Sequence, residues 1–202
     1  MLFRSRQGEK KVSVVNTAAN PFTKGTGVID IDYRVGDRYV FRSTDLLTKV
    51  ENRKLIQTIT EITADEVIYN NGTPVTDLLG NLLKRPDGAS FGPSQFFVSE
   101  YSVGKKWTTR YAINFARGGS DTIELDLKVV GRETITVPAG TFDCYRVEAH
   151  GWVLGISQKT DWKFWVAPDK VNSFIAQEAW WTKRGRITRS ERQELESYTR
   201  AG

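Results

Sequence analysis

Apolar and polar residues alternate with period two along much of this chain, and no stretch of ten or more keeps the three-and-four spacing of a helix. Thr122 to Val130 is the clearest case. Ile123, Leu125, Leu127 and Val129 take one face, and Glu124, Asp126 and Lys128 take the other, as in a strand with one side buried. Looser alternation predicts strands at 38–45, 55–63, 145–149, 162–166, 174–182 and 187–198. Ile29, Ile31 and Tyr33 against Asp30, Asp32 and Arg34 predict another where the domain begins. Turn chemistry punctuates these runs. Asn70-Asn71-Gly72 tolerates the positive φ of a tight hairpin, and Val137-Pro138-Ala139-Gly140 places Pro second and Gly fourth in a turn.

One phrase occurs twice. Val35-Gly36-Asp37-Arg38-Tyr39-Val40-Phe41-Arg42 is echoed by Val103-Gly104-Lys105-Lys106-Trp107-Thr108-Thr109-Arg110, each followed by a long alternating run, as in a duplicated hairpin. Between the copies, Asp77 to Leu83 is the least strand-like segment. It predicts a helical turn after an Asp cap, kept short by Gly80 and Pro86. The pattern as a whole specifies an all-β domain over residues 28–200, a curved antiparallel sheet or half-barrel meander of roughly eight to twelve strands with at most one or two short helices. Residues 1–27, dense in Asn, Pro and Gly, read as a lead-in or linker.

Composition narrows the function more than the fold. Aromatic residues make up 11% of the 202, six of them Trp, which suits cross-strand packing. A net charge of +5 fits either solubility or a mild preference for acidic partners. Cys144 is alone and cannot form an internal disulfide. No apolar run approaches the ~18 residues of a membrane-spanning helix, so a transmembrane protein is not expected. The start, Met1 to Gln7, carries no signal-peptide core, and Met1 is the only methionine, as when a start is supplied to a fragment of a longer parent.

Catalytic chemistry finds little to work with. Cys144 and His150, placed on one strand, would sit ~20 Å apart, far beyond hydrogen-bond reach. Asp30, Asp32 and Asp37 read as the wet side of a strand rather than calcium ligands, and no zinc spacing exists, so neither a metal nor a cofactor is expected. Two binding surfaces stand out. Trp107, Phe115, Trp152, Trp162, Phe164 and Trp165 could line the concave side of a curved sheet and hold an apolar small molecule, a lipid or a partner segment, unless a helix or Leu78 to Leu83 plugs it. Lys183, Arg184, Arg186 and Arg189, beside Trp180 and Trp181, could instead grip a polyanion. Glu191, Glu194 and Glu196 follow at once, which weakens the case for nucleic acid, and adjacent Trp residues face opposite ways.

The string Thr134 to Glu148, with Val137-Pro138-Ala139-Gly140-Thr141-Phe142 at its centre, is similar to a signature of uncharacterised bacterial β domains. Trp165-Val166-Ala167-Pro168 and Val103-Gly104-Lys105-Lys106-Trp107 resemble further strands of the same families. Those families resemble lipoprotein-carrier half-barrels and occur in envelope proteins, some as C-terminal modules behind caspase-like peptidase domains. The resemblance implies a non-enzymatic accessory module of a periplasmic or cell-envelope protein, with a partner protein or a covalently linked upstream domain. It brings no catalytic residues.

Overall fold

The computed structural model describes residues 26–28 and 32–202; Ile29, Asp30, Ile31 and most of the expected lead-in lie outside them. Fourteen strands follow in order: β1 (Thr26–Val28), β2 (Arg38–Thr44), β3 (Glu51–Ile62), β4 (Glu66–Tyr69), β5 (Val75–Asp77), β6 (Leu82–Lys84) and β7 (Ser90–Phe91). Then come β8 (Glu100–Ser102), β9 (Lys106–Asn114), β10 (Ser120–Val137), β11 (Gly140–Val153), β12 (Gln158–Val166), β13 (Phe174–Lys183) and β14 (Arg186–Thr199). The described residues hold no helix.

Twelve of these strands close into an antiparallel barrel in the order β10-β11-β12-β13-β14-β2-β3-β4-β5-β6-β7-β9, while β1 and β8 pair separately. The expected half-barrel is therefore corrected to a closed one. The missing arc consists of β5, β6 and β7, with three, three and two residues, too short for any period to show in the sequence. Closure there is slight. Lys84↔Ser90 aligns β6 with β7, and Ser90↔Asn114 and Phe91↔Ile113 align β7 with β9. The expected helical turn at 77–83 is instead an Asp-capped turn. Asp77 Oδ1 accepts from the Leu79 and Asn81 amides at 2.9 and 2.8 Å, and Gly80 takes φ +90°.

The doubled Val-Gly phrase builds the same joint twice. Gly36 N–H donates to Ile59 O and Ile59 N–H returns to Asp37 O, just as Gly104 donates to Val129 O and Val129 returns to Lys105 O. Each glycine has positive φ, 97° and 91°, which a side chain would strain. In both places the turn clips the start of one strand, β2 or β9, onto the next, β3 or β10. The Val137 to Gly140 turn forms as its residues dictate, joining β10 to β11 with Val137 opposite Gly140. Its Ala139 N–H donates to Leu195 O at 3.2 Å, where a register shift interrupts the β14–β2 ladder.

The barrel interior is filled. Leu125, Leu127 and Val129 of β10, Val147 and Ala149 of β11, and Phe164 and Val166 of β12 are buried on the inner face. Phe96 and Phe97, from the connector between β7 and β8, enter the barrel, where Phe96 stacks on Phe164 at 4.8 Å and Phe97 meets it edge-on at 5.3 Å. Phe97 continues to Phe174, which stacks on Phe41 at 4.6 Å. In the segment Leu78 to Leu83, Leu78 packs against the core and Asn81 holds the plug in place. The buried Asn81 accepts from Phe97 N–H at 2.7 Å and donates back to Phe97 O at 3.0 Å. Outside, Glu124, Asp126 and Lys128 on β10, with Glu148 and His150 opposite them, present charge and polarity to solvent. Among the described residues no helix is long and apolar enough to cross a membrane.

Candidate binding site at the barrel mouth

Six hairpin ends lie toward one end of the barrel: residues 45–50, 70–74, 85–89, 115–119, 154–157 and 184–185. Below them the inner face changes character. Directly opposed residues of an antiparallel pair share a face, so Trp162, Ala179 and Glu191 point the same way, as do Thr160, Trp181 and Arg189. That way is inward, because Trp162 packs edge-on against Phe96 at 5.3 Å. Ser43 on β2 and Arg53 on β3 complete the set through their pairing with Gln193 and with each other.

Glu191 lies at the centre, with its side chain 8% exposed. Ser43 Oγ donates to it at 2.5 Å, Gln193 Nε2 at 2.9 Å and Arg53 at 3.3 Å, and Arg189 donates to its other oxygen. Gln177 extends the network by donating to Gln193 at 2.8 Å. Burial alone would raise the Glu191 pKa; the bonds from Gln193 and Ser43 and the charge of Arg189 outweigh it and hold the carboxyl down at about 2. The two guanidinium groups remain about half exposed, 52% for Arg53 and 55% for Arg189, so each keeps donors facing the opening. Arg189 also lies over the Trp181 ring at 4.7 Å, and Trp181 meets Trp162 edge-on at 5.2 Å. Thr160 Oγ1, on the same face, is buried with no partner among the described residues.

The six expected aromatic residues separate among these surfaces. Phe164 is fully buried in the core, and Trp162 belongs to the mouth. Trp107, opposite Leu127, sits on the inner face near the plug, where its indole N–H donates to Gln95 O at 2.6 Å. Trp165 occupies the other face of β12, under Arg192 at 5.5 Å, with its N–H bonded to Glu133. Trp152, opposite Glu124, lies exposed on the outer face, and Phe115 lies in the turn after β9. Of the expected basic cluster, Lys183, Arg184 and Arg186 form the exposed end of the β13–β14 hairpin, whereas Arg189 turns inward to Glu191. Only Trp181 of the adjacent Trp pair faces in; Trp180 lies outside, with Lys163 above it at 5.5 Å. Glu191, Ser43 and Arg53 were missed because nothing marks an inward polar residue on a strand polar on both sides.

The remaining chemistry is separated in space. Cys144 and His150 both lie on β11, six residues apart; Cys144 is buried, and His150 pairs with Asp161 at 2.7 Å. Burial, with Asp143 and Glu133 nearby, pushes the thiol up to about 12. Asp32 accepts from Arg200, and Asp37 from Ala201 N–H. A shallow groove of about 450 Å³ runs along the outer face beside Asp126, Lys128 and His150.

Residues 87–179, a little under half of the chain, match the model of a family described as a protein of unknown function (DUF3108). The matched span includes the plug, the Val137 to Phe142 hairpin end and all of β12. No curated protein matches the chain. Among solved structures, the fold is similar to that of a Bacteroides fragilis protein inferred to be exported, with a YmcC-like fold. The TM-score is 0.55 at 14% identity, over 83% of this chain and 97% of that one. It is also similar to the hypothetical lipoprotein YmcC from Escherichia coli (K12), with TM-score 0.51 at 12% identity over 85% and 88%. The fold is thus one that these two bacterial proteins share.

Proposed function

We propose that the chain is a non-enzymatic binding module of a bacterial envelope protein, holding an amphipathic acyl-bearing ligand or an apolar partner segment at the barrel mouth. The apolar part lies along Trp162 and Trp181. The polar end meets the open donors of Arg53 and Arg189. One observation carries this reading: at the mouth, half-buried aromatic rings sit beside half-open guanidinium groups on a buried carboxylate. Such a mixture of apolar wall and few placed polar groups is the usual anatomy of a small-ligand site. The plugged interior below supports a ligand held at the mouth rather than swallowed. The envelope placement is supported by the exported and lipoprotein descriptions of the similar folds. The polyanion reading keeps Lys183, Arg184 and Arg186, but Arg189 is committed elsewhere.

Titrating a fatty acid or a lysophospholipid into the protein is expected to change its Trp fluorescence, and Trp181→Ala to abolish most of the change. An unaltered spectrum at saturating amphiphile overturns the proposal.

A further inference from the structure

We propose that the rim around the barrel mouth docks on an anionic lipid surface. Large apolar side chains exposed to solvent concentrate at this end. Leu47 and Val50 stand on the β2–β3 hairpin at 64% and 59% exposure, Leu154 and Ile156 on the β11–β12 hairpin at 41% and 46%, and Ile187 beside the β13–β14 hairpin at 47%. Hairpin ends are polar by default, so five exposed apolar residues at or beside three of the rim's six ends form a shared surface rather than scattered exposure.

Cations are interleaved with them. Lys49 shares the first hairpin end, Arg117 lies on the 115–119 end, and Lys183, Arg184 and Arg186 crown the last. The local carboxylates largely face inward to the backbone. Asp45 accepts from the Leu47 and Thr48 amides, both at 2.8 Å, and Asp121 from Gly155 N–H at 2.6 Å. Glu51, at the start of β3, and Asp87, paired with Arg85 on the 85–89 end, are the exposed exceptions. Apolar tips that enter the headgroup layer, ringed by cations that meet its phosphates, match the chemistry of an anionic bilayer surface. The charge pattern selects this occupant over a second copy of the chain, whose rim would carry the same positive charge.

The test is co-sedimentation of the 202-residue chain with phosphatidylcholine vesicles, with and without phosphatidylglycerol. Binding is expected only with phosphatidylglycerol. Replacing Lys183, Arg184 and Arg186 together by Gln should weaken it about a hundredfold. Replacing Leu47, Ile156 and Ile187 by Ser should weaken it about tenfold at unchanged charge. Val35→Ser with Val103→Ser, exposed at the opposite end, should change nothing. No binding, equal binding to neutral vesicles, or equal loss in the opposite-end control overturns the proposal. So does sensitivity to the charges alone, which would mark a soluble polyanion site. Trp181→Ala should leave sedimentation intact, which separates this surface from the ligand reading.

Discussion

The inner face of the barrel has two unlike ends carried by the same strands. On β2, Phe41 stacks on Phe174 in the core, and two residues later Ser43 donates to Glu191. On β14, the buried Leu195 belongs to the apolar end, and Gln193 and Glu191 belong to the polar one. On β12, Phe164 gives way to Trp162 and then Thr160. One step of two residues, ~7 Å, takes each strand from dispersion packing to a hydrogen-bonded charge network. The apolar end gains its stability from burial. The polar end pays desolvation for the carboxylate and recovers it only while every partner is present.

That contrast can be broken first at the apolar end. Phe164→Ala should destabilise the fold by about 3–5 kcal/mol through lost burial and a cavity under Phe96 and Phe97. Urea unfolding should show a lower midpoint with an unchanged slope. At the polar end, Glu191→Leu should cost about 2–3 kcal/mol, because Arg53 and Arg189 lose their counter-charge. The double change Glu191→Leu with Arg189→Leu should recover most of that, an outcome a double-mutant cycle would measure.

Asn81→Ala, which leaves Phe97 N–H and O without their side-chain partner, should cost about 1–3 kcal/mol and raise the exchange of the Phe97 amide. Acid titration sharpens the comparison further. The folded-state pKa of Glu191, about 2, lies below its unfolded value near ~4.3. Its contribution is therefore present above the unfolded value and is lost as pH falls from there through about 2. Glu191→Gln should flatten that limb of the stability curve. The smallest effect belongs to the rim: Lys183→Gln should shift stability by less than about 0.5 kcal/mol.

How much of this was legible follows from local physics. β10 could be read because one face is dry and the other wet, and Pro138 with Gly140 marked its turn. β14 could be read as a strand but not oriented. In Arg189-Ser190-Glu191-Arg192-Gln193-Glu194 both faces are polar, so inward Glu191 and outward Glu194 look alike. The arc of β5 to β7 was illegible because two or three residues cannot display a period. Leu78 to Leu83 stood out as a plug for its apolar content, and Leu78 does pack against the core beside the plug. Its holder is the polar Asn81, and the inserted residues are Phe96 and Phe97. Trp152, Trp162 and Trp165 were grouped by residue type, whereas strand parity distributes them over two faces.

Closure through a single register pair at β6–β7 and two at β7–β9 makes the barrel a clasped ring. Its clasp carries few of the ladder bonds that hold the wall. Amides of Lys84 to Phe91 should exchange through local opening, while those of β10 and β11 wait for global unfolding. The clasp is where the ring is expected to open first.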